Sequence, residues 1–280
     1  MMQGKVSHLL RMVAPIALVL SLLFFLTPVI RAWAAQPTLI GPKSTYLAVG
    51  DSLAFGYQPL LGFSGGYTDD FYKNLKSHGT KNFDNLSCPG EDTTTMINGQ
   101  CPAPFLRKYP YIGSQLGAAV DYLHDHAGQV SPVTLDIGAN DIVGDMDYST
   151  CVISSQATAD LKTMDYNLTH TILPKLTAAM TVNGQMTGDL LIMNYYDPYQ
   201  NHCPNTVAFV QELNQHLAAD ASGYGTMVDV FDAFGGATVP NPNLCNYTWM
   251  CSVYPSDLGI HATDTGYQVI AKAFEQTTGY

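Results

Sequence analysis

The chain has 280 residues, enough for a single domain with a sizeable core. Residues 1–35 hold three of the 12 Lys and Arg and no Asp or Glu. The remainder therefore sets nine basic residues against 23 acidic ones, a net charge of −14 with Arg107 as its only arginine. That balance excludes a nucleic-acid partner, which needs a basic face to meet phosphates, and suits an acidic exported protein.

In chain order, Lys5 and Arg11 precede an uncharged apolar run from Met12 to Ile30, and Ala32-Trp33-Ala34 supplies an A-x-A cleavage pattern. This is the pattern of a secretory signal peptide over 1–35, which leaves a secreted domain of residues 36–280 with no stable membrane anchor. A retained anchor is the alternative; Pro15 and Pro28 oppose it.

The run TYLAVG (45–50) is short, apolar and ends in Gly, as a strand buried on both faces reads. PVTLDIG (132–138), GDLLIMNYY (188–196) and TMVDVFDAF (226–234) repeat the pattern, and KNFDNLS (81–87) does so more weakly. Helical periodicity lies between them: Leu116, Ala119, Val120 and Leu123 share one face, as do Tyr267, Ile270, Ala271 and Phe274. Residues 154–180 and 206–219 also read as helices, and another begins near Tyr67. Strands alternating with helices imply right-handed crossovers and a parallel sheet covered on both faces, a three-layer α/β/α sandwich. Residues 101–113 and 235–256 are rich in Pro, Gly or Asn and read as loops.

Six cysteines, Cys88, Cys101, Cys151, Cys203, Cys245 and Cys251, all follow the signal, and an even count in an exported chain points to three disulfides. Fifteen connectivities are open. Sequential pairs, Cys88–Cys101, Cys151–Cys203 and Cys245–Cys251, are expected because each closes a loop between elements. No C-x-x-C stands among them, so a metal site is not expected. His124 and His126, two apart on a helix, point in different directions and read as a solvated face.

Reactive groups of an open parallel sheet gather beyond the carboxyl ends of its strands. Ser52, in Gly50-Asp51-Ser52-Leu53, stands there; alone it would more readily be a helix cap. Gly90 follows the weaker second run, Gly138-Ala139-Asn140-Asp141 ends the third, and His261 closes Ser256-Asp257-Leu258-Gly259-Ile260-His261. These four ordered blocks resemble those of the SGNH, or GDSL, hydrolase family, over residues 45–276. The resemblance implies a flavodoxin-like sandwich around a five-stranded parallel sheet and a secreted lipase or esterase. It also implies Ser52 as nucleophile, His261 as its base, and the Ser52 and Gly90 amides with the Asn140 side chain as oxyanion donors. The family's acid lies three residues before the histidine, where this chain has Leu258. Either Asp257, one residue further back, orients His261, or a backbone carbonyl takes its place; Asp257 is the reading favoured here. Asp51 and Asp141 are expected to brace loops, and Asp264 to sit in the first turn of the last helix.

A serine hydroxyl needs a neighbouring base, and a histidine with an ordinary pKa near 6.5 predicts that activity falls below that pH. Water completes the cycle, so no cofactor or metal is implied. The expected partner is a small-molecule or lipid ester, and the enzyme is expected to be a monomer. Gly62-Phe63-Ser64-Gly65-Gly66 also matches G-x-S-x-G, but YQPLLGF before it does not read as a buried strand, so Ser64 is the lesser candidate. Tyr195, Tyr196 and Tyr199, with Phe55 and Tyr57, are candidates for the cleft rim, and Trp249 for a loop beside it. The sequons at Asn85, Asn167 and Asn246 support no inference. Two rivals remain, a carbohydrate acetyl esterase and a non-catalytic, disulfide-stapled binding module.

Overall fold

A computed structural model describes residues 38–59, 65–252 and 258–280. The signal segment 1–35, Ser64 and Asp257 lie outside the described residues.

Five strands form the central sheet: β1 (Thr45–Gly50), β2 (Asn82–Asn85), β3 (Val130–Asp136), β4 (Leu190–Met193) and β5 (Thr226–Val228), in the order β2-β1-β3-β4-β5 and all parallel. Every residue of β1, β3 and β4 is buried, as their unbroken apolar runs require of strands covered on both faces. β2 is an edge strand with its first residue exposed, which explains its weaker pattern.

The helices are α1 (Ser52–Phe55), α2 (Tyr67–Ser77), α3 (Thr93–Asn98), α4 (Gln115–Asp125), α5 (Ala139–Ile142), α6 (Ala157–Asn167), α7 (Leu173–Ala179), α8 (Thr206–Ala221), α9 (Val230–Ala233), α10 (Leu244–Tyr247) and α11 (Asp264–Thr278). A π-turn, Leu168–Ile172, joins α6 to α7, so the expected helix over 154–180 is one nearly continuous rod. α2 and α11 pack through Tyr67 stacked on Phe274 at 5.0 Å and Phe71 against the same ring. Truncating so buried an aromatic costs ~3–5 kcal/mol. Among the described residues no helix is long and apolar enough to cross a membrane.

The expected strand over 226–234 is corrected: it ends at Val228, because the Asp229 side chain accepts the Asp232 N–H and starts α9. The loops 101–113 and 235–256 hold only short helical turns among their described residues. The three disulfides join Cys88 to Cys101, Cys151 to Cys203 and Cys245 to Cys251.

In this strand order the chain reverses direction across the sheet between β1 and β3, and the connections leaving these neighbours diverge. A crevice opens at their carboxyl ends. Gly50, the last residue of β1, lies in register with Asp136, the last of β3. Whatever follows the two strands is therefore delivered to one place.

Candidate active site

Ser52 opens α1 directly after β1. Asp51 caps this short helix by accepting the Leu53 N–H at 2.8 Å, and Gly56 closes it in the left-handed conformation. The turn is tight because Gly50, at φ 143°, leaves no room for a side chain: a Cβ there would stand 1.9 Å from Asp136 Oδ1. As the first residue of the helix, Ser52 has an N–H with no intrahelical partner.

The Ser52 hydroxyl donates to His261 Nε2 at 2.8 Å, across a sequence separation of 209 residues. His261 Nδ1 lies 2.9 Å from the Leu258 carbonyl oxygen, which can only accept, so the proton sits on Nδ1 and Nε2 is left to accept from Ser52. The histidine loop is pinned from outside, the Trp249 N–H donating to the His261 carbonyl at 3.0 Å and Thr248 bridging to Ala262. Tyr57 lies against the imidazole, ring centres 4.6 Å apart. His261 is 7% exposed, and burial pushes its pKa down to about 4 although the carbonyl opposes the shift. The ordinary value near 6.5 is thereby corrected: the imidazole stays neutral, and basic, well into acid.

Gly90 and Asn140 reach the same rim. The Cys88 N–H donates to the Gly50 carbonyl at 3.0 Å, extending the β1–β2 pairing and docking the Gly90 turn beside Ser52. Gly90 takes φ 83°, a conformation that favours glycine. Asn140 Nδ2 donates to the Glu91 carbonyl at 2.8 Å, leaving its second amide hydrogen unassigned. Among the described residues neither the Ser52 nor the Gly90 N–H has an acceptor. Asp141 ties this loop to the next by accepting from the Thr93 N–H at 3.0 Å and from its hydroxyl, as expected of a bracing residue. Burial raises the Asp141 pKa to about 6.

Beneath the serine lies a feature that sequence reasoning missed. Asp51 and Asp136 are both buried, Asp51 accepting from Tyr195 Oη at 2.9 Å and Asp136 from the Ala54 N–H at 2.7 Å and Tyr67 Oη at 3.3 Å. Burial pushes Asp51 up to about 6, and burial together with the neighbouring Asp51 charge raises Asp136 further, so the pair retains a proton where isolated carboxyls have lost theirs. Asp136 reads in sequence as a polar residue at a strand end. Its signal was a carboxyl inside an otherwise apolar run, which a buried strand carries only for a reason.

The dyad opens onto a cleft enclosing about 710 Å³ of empty space, its open mouth included. Ser52, His261 and Asn140 line it together with the apolar side chains of Ile142, Val143 and Met146 and, from α8, Phe209, Val210 and Leu213. Tyr195, Tyr196 and Tyr199 line it, whereas Phe55, the last residue of α1, is buried with the Lys108 ammonium over its ring. Cys151–Cys203 ties the segment after α5 to the start of α8, joining the two stretches that supply the apolar lining. His124 is exposed, and His126 stacks on Tyr122, away from the site. Asp264 stands in the first turn of α11, where it accepts from Gln58 Nε2 at 2.6 Å.

The model of the GDSL-like lipase/acylhydrolase family matches residues 48–269. No curated protein sequence gives a significant match. Among solved structures, a lipase from a goat rumen metagenome superposes with a TM-score of 0.56 at 15% identity, over 86% of this chain and 97% of that one. An acetylxylan esterase from Geobacillus stearothermophilus gives 0.54 at 14% identity, over 87% and 97%. A phospholipase A1 from Streptomyces albidoflavus NA297 gives 0.51 at 18% identity, over 84% and 99%. At these identities the likeness is one of fold.

Proposed function

Because the chain belongs to the GDSL-like lipase/acylhydrolase family, we propose that it is an exported serine hydrolase that cleaves carboxylic esters through a covalent acyl-enzyme. The observation that carries this reading is the 2.8 Å bond from the Ser52 hydroxyl to His261 Nε2 in the lining of a largely apolar cleft. Ser52 Oγ attacks the ester carbonyl while its proton passes to Nε2. The tetrahedral oxyanion is held by the Ser52 and Gly90 N–H groups and the Asn140 amide, and the proton leaves with the alcohol. Water, deprotonated by the same nitrogen, then releases the acid and restores the serine. The Leu258 carbonyl holds the imidazole in the reactive tautomer, so a Ser–His dyad suffices; Asp257 lies outside the described residues. The apolar segment with its A-x-A pattern and the three disulfides support export.

The apolar walls formed by Ile142, Val143, Phe209 and Val210 suit an acyl chain of several carbons better than an acetyl group. Each buried methylene contributes ~0.8 kcal/mol, so hexanoyl and octanoyl esters are expected to exceed acetyl esters in kcat/KM by roughly tenfold or more. Equal rates on acetylated xylan and slow turnover of the longer esters would favour the carbohydrate-esterase reading. Labelling with a fluorophosphonate, followed by mapping of the modified residue, tests the nucleophile. Label on Ser52 supports the enzyme; label on Ser64, or no label with an intact fold, overturns the assignment or leaves a binding module.

A further inference from the structure

One residue beside the site is used by none of these steps. Glu91 follows Gly90 directly, yet its side chain is buried. Its Oε2 accepts from Gln115 Nε2 at 2.9 Å, and the same Gln115 clasps the backbone of Gly50, accepting its N–H at 2.6 Å and donating to its carbonyl at 2.9 Å. The Glu91 carbonyl accepts from Asn140 Nδ2 at 2.8 Å. A single residue thus links the strand end that carries Ser52, the turn that carries Gly90, and Asn140.

Glu91 Oε1 is buried without a hydrogen-bond partner among the described residues. A carboxylate offers about four acceptor sites, whereas a carboxylic acid has fewer to satisfy, so this setting favours the protonated form. The Cys88 and Cys101 sulfurs, joined as a disulfide, lie within 4.8 Å of the carboxyl and do not solvate a charge. Facing it are Thr95 of α3, Gln115 of α4, Asp92 next in the chain, and Arg107 and Tyr111 of the loop 101–113. The Arg107 cation is shared: it donates to the Tyr111 carbonyl at 2.7 Å and lies over that ring at 4.0 Å.

We infer that Glu91 is a positioning residue that must stay uncharged for Gly90 and Asn140 to stabilise the oxyanion, so that its ionisation sets the upper pH limit of turnover. Loss of its proton to solvent places a buried anion behind the donors just where the transition state develops a second negative charge. Burial, opposed in part by the nearby Thr95 hydroxyl and the Gln115 hydrogen bond, raises the Glu91 pKa to about 7, which sets where the limit falls.

This inference rests on the Ser52 reading, and its test separates the two. kcat/KM of the mature protein is measured by pH-stat on a neutral hexanoyl ester from pH 4.5 to 9, for wild type, Glu91→Gln and Arg107→Gln, with fluorophosphonate labelling of each. Wild type is expected to lose about tenfold with a midpoint near 7. Glu91→Gln, which keeps the bond to Gln115 without the charge, should retain the acid-side rate and lose the fall. Arg107→Gln removes a cation that favours the carboxylate, so its midpoint should move up. A flat wild-type profile, an alkaline fall that persists in Glu91→Gln, or an unmoved midpoint in Arg107→Gln overturns the inference. If Glu91→Gln does not fold, Arg107→Gln decides. Absence of label on Ser52 in folded wild type overturns the hydrolase reading itself.

Discussion

Lowering the pH titrates His261, and the structure fixes where that should stop the enzyme. The base must be neutral to take the Ser52 proton. Its imidazole is almost fully buried, Nδ1 faces the Leu258 carbonyl, and burial holds its pKa down at about 4. At pH 5 about 90% of the histidine is then neutral, against about 3% for a group at the ordinary 6.5, a roughly 30-fold difference in kcat/KM. The sign is that of a base: activity is complete above the folded pKa and lost as pH falls through it.

The assay is kcat/KM on a neutral ester between pH 3.5 and 6.5, followed by chromatography of the released alcohol so that ionisation of the product acid does not enter, with tryptophan fluorescence at each pH to show that the fold persists. Half-maximal activity near pH 4 is expected. A half-maximum at pH 6 or above would refute the reasoning, because it would mean that a negative charge reaches the imidazole. Asp257→Asn identifies that charge. With the carbonyl as orienter the substitution leaves the acid limb in place and slows turnover only a few-fold, whereas a true triad loses orders of magnitude.

Three further outcomes follow from the same contacts. Asn140→Ala is expected to lower kcat by about 10²–10³ with little change in KM, because its amide acts on the oxyanion and not on the bound ester; a loss below tenfold argues that the two backbone amides suffice. The melting temperature should fall from pH 5 to 7.5. Asp51, Asp136, Glu91, Asp141 and Asp197 all hold protons above their unfolded range, and stability from a raised carboxyl is lost between the unfolded value near 4 and the folded one, about 6 for Asp51, Asp141 and Asp197 and about 7 for Glu91. His261 acts in the opposite sense between about 4 and 6.5, one group against five. Asp136→Asn should flatten the fall, and an unchanged slope would mean that the pair does not hold the proton. Replacing Cys151 and Cys203 by Ser opens a loop of sequence separation 52 and should cost about 4 kcal/mol in denaturant titration; a change under 1 kcal/mol would show that packing alone joins the cleft walls.

What the sequence discloses of such a site follows from how a parallel sheet works. Each buried strand announces itself as an apolar run, and each run ends on the same side, so Ser52, Gly90 and Asn140 can be placed on one rim before any contact is known. The last-block histidine joins them through its motif. Less legible are groups whose role depends on what lies across the sheet. Asp136 acts because strand register sets Gly50 opposite it, and Gln115 because the packing of α4 brings its amide to the Gly50 backbone; residue type encodes neither. Least legible of all is the partner of His261. A carbonyl is present at every residue, so nothing in the letter Leu258 marks its oxygen as the one that meets Nδ1. The displacement of Asp257 from the family spacing leaves two orienters open in sequence, and Leu258, which stands at the family's own position three before His261, offers one of them through its backbone. Its carbonyl turns back onto Nδ1 within one tight loop, so the hydrogen bond that fixes the tautomer does not depend on which side chain stands at that position.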